Sequence, residues 1–258
     1  MRWCVYWLLC HRLRKALKLM PASDIDYSIN ISPRYRYVYV DNPKTGCSSL
    51  KSAMVEMESR DTEAEVDYYD SRIIHNRGKS PLRRITELPL GAPFGYLYMS
   101  GYKFVTFVRN PYTRLLSCYR DKILNNEPLK ATVLGLLGES GQPIETPLTF
   151  EDFVRAIFQQ SDYEMNSHWR PQTAQICYGI LEYTYIGRFE QYEDDFSELF
   201  AQLGIPADKT PSARHLNRTR EGASEGCAKY YTAELQDMVY RRYQNDFDNF
   251  GYPYELPG

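Results

Sequence analysis

Several features are missing from this sequence, and each absence excludes a class of protein. The 258 residues include only six cysteines and four histidines, with no Cys-x-x-Cys pair and no zinc-type ligand spacing. Basic residues (31) do not outnumber acidic ones (33), so the net charge of −2 excludes a globally basic nucleic-acid binder. There is no internal repeat and no low-complexity tract. The scattered cysteines favour a reduced, cytoplasmic protein, and we predict no metal site.

A long apolar segment is also missing. The N-terminal run Trp3–Cys10 is far shorter than the roughly 20 residues that span a bilayer, and no signal-peptide cleavage site follows it. Basic residues and leucines then alternate, which predicts a basic amphipathic helix within an N-terminal extension, residues 1–30. This helix either packs on the domain or makes a weak contact with a membrane surface.

The short N-terminal extension bears on location. The chain begins about thirty residues before its first predicted strand. We therefore expect a cytoplasmic protein. The alternative is a Golgi-lumenal or membrane-associated protein whose N-terminus has been shortened.

What is present is an alternation of strands and helices. Apolar residues predict core strands at Tyr35–Asp41, Lys103–Val108 and Tyr183–Phe189. Such alternation indicates an α/β fold, here a P-loop-like three-layer arrangement with a central parallel sheet flanked by helices. We expect a single domain over residues 31–258.

Capping signals place the helices. A serine, Ser48 or Ser49, begins a helix that ends near Ser59, and a capping box of Thr149 and Asp152 begins another that runs through Gln160. Acidic first turns and terminal glycines mark two more helices, residues 192–204 and 232–251. The Gly- and Pro-rich stretch 126–147 is interpreted as a surface excursion, and residues 60–100 as irregular.

The loop after the first strand has the composition of an anion site. A loop between a parallel strand and a helix offers backbone N–H groups at the positive end of the helix dipole. A Walker loop places its lysine after the second glycine, but here Lys44 precedes the only glycine, so an NTPase is disfavoured. The predicted anion-binding residues are Pro43, Lys44, Thr45, Gly46, Cys47, Ser48 and Ser49.

A second loop follows the second strand. Arg109 ends that strand at the sheet edge where open α/β sheets bind ligands, and Ser117 lies two turns into the next helix. A guanidinium and a hydroxyl together suit a terminal phosphate. Arg120 is interpreted as a solvated charge, and Arg114 is left open. Two anion sites on adjacent strand–helix units imply a nucleotide with phosphates at both ends of its sugar.

These segments resemble the carbohydrate sulfotransferases of family 2, which include the chondroitin- and dermatan-type Golgi enzymes and bacterial relatives. "VDNPKTGCSSLK" is similar to their 5′-phosphosulfate loop, and "FVRNPYTRLLSCYRDK" to their 3′-phosphate motif. The order and spacing of "HWRPQ", "YIGRFEQYEDDF" and "HLNRT" are similar too. The ordered set extends over most of residues 35–252, which makes it far more specific than a lone Lys-Thr-Gly.

The resemblance implies a donor and a set of roles. The donor would be PAPS (3′-phosphoadenosine 5′-phosphosulfate), with Lys44 stabilising the leaving phosphate and no metal required. His75 is the candidate base for the acceptor hydroxyl, with Glu63 and Glu65 in reserve, because family members use His or Glu. Further candidate contacts are Arg218 and Arg220 on a late basic loop over PAPS, and His168 and Arg170 toward the acceptor.

The acceptor is not readable from the sequence. The resemblance implies a carbohydrate hydroxyl, and a small-molecule alcohol or phenol is the alternative. A protein that binds the nucleotide or a glycan without catalysis also stays open, although Lys44 and a plausible base argue against it.

Overall fold

The structure is a computed structural model, and it describes residues 2–60, 76, 80–88, 93–125, 127–212 and 226–258. The strands are β1 (Ile29–Ser32), β2 (Tyr37–Val40), β3 (Lys103–Val108) and β4 (Tyr183–Arg188). The first helices are α1 (Arg2–Leu19), α2 (Ala22–Ser28), α3 (Cys47–Ser59), α4 (Pro93–Met99) and α5 (Pro111–Cys118), the last continued by a π-helical turn, Tyr119–Ile123. The later helices are α6 (Leu129–Leu136), α7 (Phe150–Phe158), α8 (Gln172–Gln175), α9 (Tyr192–Gln202), α10 (Cys227–Tyr230), α11 (Ala233–Arg242) and α12 (Gln244–Phe250).

The described strands form one mixed sheet in the order β1-β2-β3-β4. β2, β3 and β4 are parallel, with Val38 opposite Phe104 and Phe107 opposite Gly187. β1 is antiparallel to β2, with Ile31 opposite Val38. The predicted α/β class with a central parallel sheet flanked by helices, the arrangement of a P-loop-like fold, is confirmed. The sequence analysis missed β1, because four residues are too few to show a periodicity.

The chain folds as two compact units. The first comprises Met1–Val108 and Ala174–Arg218, and the second Arg109–Thr173 and Thr219–Gly258. The predicted division at residue 30 followed by a single domain stays a prediction.

The core of the first unit lies on one face of the sheet. Side chains alternate along β2, so its two tyrosines point to the face covered by α3 and α9. On the opposite face, Tyr98 of α4 stacks on Phe104 of β3 with ring centroids 4.8 Å apart. The main buried residues of the α3–α9 face are Tyr37, Tyr39, Leu50, Met54, Val105, Phe107, Phe196 and Leu199.

The core of the second unit is helical and rich in aromatic side chains. α5, α7 and α11 contribute apolar faces, and Phe153 meets Trp169 edge to face at 5.9 Å. The predicted capping box at the start of α7 is confirmed, since the side chains of Thr149 and Asp152 accept each other's backbone N–H. Its main buried residues are Tyr112, Leu116, Tyr119, Phe150, Phe153, Trp169, Leu235 and Phe247.

Two segments differ from the sequence-based expectation. The stretch 126–147, interpreted as a surface excursion, contains helix α6, which buries Val133 and Leu134 in the second core. Its glycines suggested a loop, but burial of apolar side chains outweighs the weak helix propensity of glycine. Helix α4 likewise lies within a region expected to be irregular.

The predicted N-terminal helix is present as α1. Ala16 is buried, whereas Arg14, Lys15 and Lys18 are exposed. Arg12 pairs with Glu182 and donates to the carbonyl of Ile180, which ties the helix to the first unit. Among the described residues, no helix is both long enough and apolar enough to cross a bilayer. The predicted weak membrane contact stays a prediction.

Gly187 in β4 allows a test of how closely the side chains pack on the sheet. A Cβ atom at Gly187 would lie 2.6 Å from Cζ of Phe107, so Gly187→Ala must displace the ring. We expect it to lower the free energy of unfolding by about 1–3 kcal/mol, measured by urea denaturation. The control is Gly135→Ala in α6, whose nearest atom is the Ser140 hydroxyl at 3.4 Å, and we expect a gain of about 0.4–1 kcal/mol. Wild-type stability for Gly187→Ala would contradict the close packing.

Candidate active site

The loop between β2 and α3 has an unusual backbone. Lys44 has φ +74° and Gly46 has φ +84°, both in the left-handed region. A residue with a Cβ atom adopts this conformation at a cost of roughly 1–3 kcal/mol, and such residues concentrate at functional sites. Left-handed residues next to a helix start turn successive N–H groups toward one point, which makes a concave anion-binding surface. The backbone of this loop is compatible with an anion site, and the predicted anion binding stays a prediction.

Buried hydrogen bonds hold this loop in place. The side-chain amide of Asn42 donates to the carbonyl of Phe107 at 2.9 Å, so the loop is attached to β3. The hydroxyl of Thr45 donates to the carbonyl of Asn42 at 2.7 Å. Both side chains are buried. Thr45 is thus an internal brace of the loop, and its predicted contact with the donor can come only from its backbone.

Gly46 is required by space as well as by backbone angle. A Cβ atom at Gly46 would lie 2.8 Å from the ring of Tyr192 and 3.3 Å from that of Phe189, both from the segment after β4. Gly46 is also the N-cap residue of α3, so the predicted cap at Ser48 or Ser49 is wrong, and both serines lie within the first turn. Helix α3 therefore begins against an aromatic wall, and its first turn contains three of the predicted binding residues, Cys47, Ser48 and Ser49.

A buried ion pair beside the loop was not predicted. The ammonium group of Lys51 in α3 binds the carboxylate of Asp41, and their side chains are 1% and 5% exposed. Burial is the largest influence on the pKa of Lys51 and lowers it, but the charge and hydrogen bond of Asp41, together with Cys47 and Tyr27, outweigh burial, so the pKa is raised and Lys51 stays charged. Lys51 also lies 5.2 Å from the ring centroid of Tyr27. The pair fixes the end of β2 to the second turn of α3.

Cys47 lies next to this pair. Burial, and then the Asp41 carboxylate, raise the pKa of its thiol to about 12. The side chain is therefore a neutral thiol at physiological pH, which is not the state of a nucleophile or metal ligand. Cys47 can contribute to anion binding only through its backbone N–H.

Arg109 begins the second unit directly after β3. Its side chain is 6% exposed, and its Nε donates to the hydroxyl of Thr113 at 3.0 Å. Asn110 caps α5 by accepting the N–H groups of Tyr112 and Thr113, with Pro111 at the first helical position. The start of α5 therefore orients the predicted phosphate-binding arginine.

The backbone of Arg109 is held by a residue that the sequence analysis did not select. The side-chain amide of Gln172 binds both its N–H and its carbonyl. Gln172 belongs to the "HWRPQ" segment, which the resemblance marked without giving this residue a role.

The other polar residues of α5 have distinct environments. Ser117, the predicted partner of Arg109, is partly exposed. Arg114 is buried, and it donates to the carbonyls of Arg170 at 2.8 Å and Ser167 at 3.0 Å. Arg120 was expected to be solvated, but it is half-buried, with its guanidinium 5.2 Å from the ring centroid of Tyr230. Arg114 thus has a structural role that its sequence position left open.

The "HWRPQ" segment contains the two predicted acceptor residues. His168 is half-buried, with Nδ1 2.8 Å from the side-chain oxygen of Asn166. Arg170 is 1% exposed and donates to the carbonyls of Asp162 and Met165. These contacts give Arg170 a structural role, and its predicted contact with substrate is not supported by them. The acceptor contact of His168 stays a prediction.

Five candidate residues lie outside the described residues. They are His75, Glu63, Glu65, Arg218 and Arg220. Their roles stay predictions. Within the part of the chain that the structure describes, no group of three or more His, Cys, Asp or Glu side chains is arranged to hold a metal ion.

The chain was compared with known proteins. It is similar to human carbohydrate sulfotransferase 14, with 28% identity over 242 residues, and to human carbohydrate sulfotransferase 9, with 23% identity over 246 residues. Carbohydrate sulfotransferase 12 of Xenopus laevis is 24% identical over 265 residues. The matches cover 87%, 87% and 91% of this chain but 60%, 53% and 62% of those proteins, respectively. The chain thus spans little more than half the length of these relatives. No solved structure matches it.

The relatives correct the predicted location. Carbohydrate sulfotransferases of this group are Golgi enzymes, so they point to the Golgi, and the expectation of a cytoplasmic protein is wrong. The cysteines misled the prediction. Cys118, Cys177 and Cys227 are buried and Cys47 is half-buried, so they serve as small packing groups whatever the compartment.

The family itself is established by a match to most of the chain. The model of the sulfotransferase family matches residues 27–253, which include both predicted anion-binding loops and the "HWRPQ" segment. The resemblance to carbohydrate sulfotransferases is confirmed, and the protein is a member of the sulfotransferase family.

Proposed function

We propose that this protein is a PAPS-dependent sulfotransferase that transfers a sulfuryl group to a hydroxyl of a carbohydrate. The observation that carries the proposal is the left-handed backbone of the β2–α3 loop, at Lys44 and Gly46, in a member of the sulfotransferase family. Strain of this kind persists where a ligand must be met by backbone groups. PAPS presents the matching chemistry, an anionic phosphosulfate.

The β2–α3 loop is assigned to the 5′-phosphosulfate. Lys44 supplies the positive charge, and the first turn of α3 supplies N–H groups and the hydroxyls of Ser48 and Ser49. Gly46 lets the loop lie directly against the rings of Tyr192 and Phe189, where a Cβ atom would clash. Lys51 is bound to Asp41, so its charge is already matched and Lys44 is the cation assigned to the donor. Pro43 lies in the loop directly before Lys44, three residues after the end of β2.

The start of α5 is assigned to the 3′-phosphate. Arg109 is fixed at its backbone by Gln172 and at Nε by Thr113, which directs its guanidinium, a group suited to binding a phosphate. Ser117, partly exposed on the same helix, adds a hydroxyl donor. Arg218 and Arg220 are assigned to a basic segment that contacts the nucleotide, on the resemblance alone.

The chemistry is an in-line displacement at sulfur. PAPS supplies the sulfuryl group and a 5′-phosphate leaving group. Lys44 and the N–H groups of the loop stabilise the negative charge that grows on that phosphate as its bond to sulfur breaks. His75 takes the proton of the acceptor hydroxyl as the oxygen bonds to sulfur. The residues thus act by positioning and charge stabilisation.

The acceptor class follows from the relatives, whose names describe sulfotransferases acting on carbohydrate. His168, which is half-buried, is assigned to the acceptor side on the resemblance alone. Transfer of radiolabelled sulfate from PAPS to a panel of glycans and phenols distinguishes the acceptor classes. Labelling of phenols alone would favour a small-molecule acceptor, and PAPS binding without any transfer would favour a non-catalytic protein.

The donor assignment predicts a selective thermal shift. PAP, the product nucleotide, should raise the melting temperature because a ligand that binds only the folded state stabilises it by mass action. ATP with Mg²⁺ should raise it much less, since the loop lacks the Walker arrangement. Differential scanning fluorimetry at matched concentrations measures both. A larger shift from ATP and Mg²⁺ than from PAP contradicts the sulfotransferase assignment.

The two loops predict different kinetic losses. Arg109→Ala removes a charge-assisted contact made to the bound nucleotide, so it should weaken PAP binding by on the order of 1.5–3 kcal/mol. Lys44→Ala should lower kcat by about 10²–10³ with a smaller change in PAP affinity, because its charge partner grows in the transition state. The alanine keeps the Cβ atom at the left-handed position, so backbone strain is unchanged. Calorimetry of PAP and steady-state kinetics measure the two losses. An unchanged kcat in Lys44→Ala together with lost PAP binding would reverse the assigned roles.

The proposed base predicts a pH effect. If His75 accepts the hydroxyl proton, transfer should fall as the pH drops through about 6.5, where a histidine becomes protonated. His75→Ala should lose about 10²–10⁴ in rate and flatten that limb of the profile, while PAP affinity and melting temperature stay near wild type. A retained rate transfers the role to Glu63 or Glu65. A large drop in melting temperature assigns His75 to the scaffold instead.

A further inference from the structure

Gln172 makes a two-point contact with the main chain of Arg109. Its Oε1 accepts the N–H of Arg109 at 2.9 Å, and its Nε2 donates to the carbonyl of Arg109 at 2.7 Å. Gln172 has no solvent exposure, and Arg109 is 6% exposed. One planar amide therefore satisfies both backbone polar groups of a single buried residue.

This contact takes the place of sheet hydrogen bonds at the end of β3. The pairing of β3 ends at Val108, so Arg109 is the first residue whose backbone groups have no partner in the β3–β4 ladder. A buried backbone group without a partner costs roughly 1–3 kcal/mol. Because the amide is rigid, it also fixes the plane of the adjoining peptide groups and hence the direction in which the Arg109 side chain leaves the backbone.

A buried carboxylate in turn fixes Gln172. Oδ2 of Asp246 accepts the N–H of Gln172 at 2.7 Å, and Oδ1 accepts the N–H and the hydroxyl of Thr173 at 2.8 and 2.9 Å. Asp246, in α12, has no solvent exposure. Burial raises its pKa, although the backbone N–H donors of Thr173 and Gln172 oppose that shift. The carboxylate thus serves as a two-sided acceptor at the start of α8.

The other end of the arginine is held independently. Nε of Arg109 donates to the hydroxyl of Thr113, which itself donates to the carbonyl of Asn110. The series Asp246–Gln172–Arg109–Thr113 therefore fixes the arginine at its backbone and at its guanidinium base, entirely within the second unit. All four residues are buried, and the series converges on the residue assigned to the 3′-phosphate.

We propose that Gln172, oriented by Asp246, is a positioning residue that sets Arg109 for the 3′-phosphate of the donor nucleotide. The inference rests on the proposed function, in which Arg109 binds that phosphate. It assigns to "HWRPQ" a role in nucleotide selection, in place of the acceptor role expected for Arg170. Neither Gln172 nor Asp246 touches the nucleotide in this scheme.

The experiment compares two nucleotides that differ only in the 3′-phosphate. Dissociation constants of PAP and of adenosine 5′-phosphate are measured by calorimetry, and their ratio reports the contribution of the 3′-phosphate alone. Gln172→Met, which keeps the length of the side chain but neither hydrogen bond, should reduce the ratio about tenfold, and Arg109→Ala by about 10–100-fold. General loosening of the unit would weaken both nucleotides alike and leave the ratio unchanged.

The matched control is Gln160→Met. Gln160 is a half-buried glutamine in the same unit whose Oε1 accepts the indole N–H of Trp169 at 2.9 Å, so its loss disturbs the same segment without touching Arg109. The ratio should stay within about twofold of wild type. Should Gln172→Met not fold, Gln172→Asn, which retains an amide one methylene shorter, is measured in its place with the same expectation.

The possible results distinguish a failure of this inference from a failure of the proposed function on which it rests. An unchanged ratio in the Gln172 variant, with a reduced ratio in Arg109→Ala, overturns the inference and leaves the proposed function standing. Equal reductions in the Gln172 and Gln160 variants also overturn it. A wild-type protein that does not prefer PAP to adenosine 5′-phosphate overturns the proposed function, and the inference with it.

Discussion

The left-handed backbone at Lys44 and Gly46 is the constraint on which the candidate site depends. A lysine does not adopt this conformation without compensation, so the strain of roughly 1–3 kcal/mol must be offset by contacts around it. Asn42 and Thr45 supply part of them through buried hydrogen bonds. Tyr192 occupies the space beside Gly46, which prevents the loop from relaxing in that direction. The conformation of the loop, the start of α3 and the packing of Tyr192 therefore depend on one another.

Three buried cations have structural partners. Lys51, Arg114 and Arg170 are almost fully buried, and each is matched by a carboxylate or by backbone carbonyls. A buried cation that lost such partners would carry a large desolvation cost, so these residues hold structure together. Lys44 is half-buried and lies on the strained loop. In a protein with a net charge of −2, its positive charge is a local feature of that loop.

Local signals in the sequence were sufficient for much of the fold and for the loop, because they act over a few residues. The capping box at Thr149 is set by nearby chemistry and was predicted. The start of α3 was misplaced by two or three residues, because the serines suggested a side-chain cap where the left-handed backbone of Gly46 begins the helix instead. Long-range partners were not predictable in this way. Asp41 and Lys51 lie only ten residues apart, yet nothing in either residue type indicates that they pair; Gln172 and Asp246 are 74 residues apart. The family resemblance identified the segments, and the structure identified the contacts between them.

These long-range contacts also bear on the proposed donor sites, because they fix binding groups within the protein itself. A flexible lysine or arginine loses rotamer freedom on binding, and that loss weakens the complex. In Arg109 the backbone and Nε are already bound within the protein, so less freedom remains to be lost. The left-handed loop likewise fixes the direction of its backbone N–H groups. Unlike water molecules around a free ion, these groups cannot reorient. Groups fixed in this way stabilise charge that develops during reaction without having to reorganise, which is the property that sulfuryl transfer from a phosphosulfate requires.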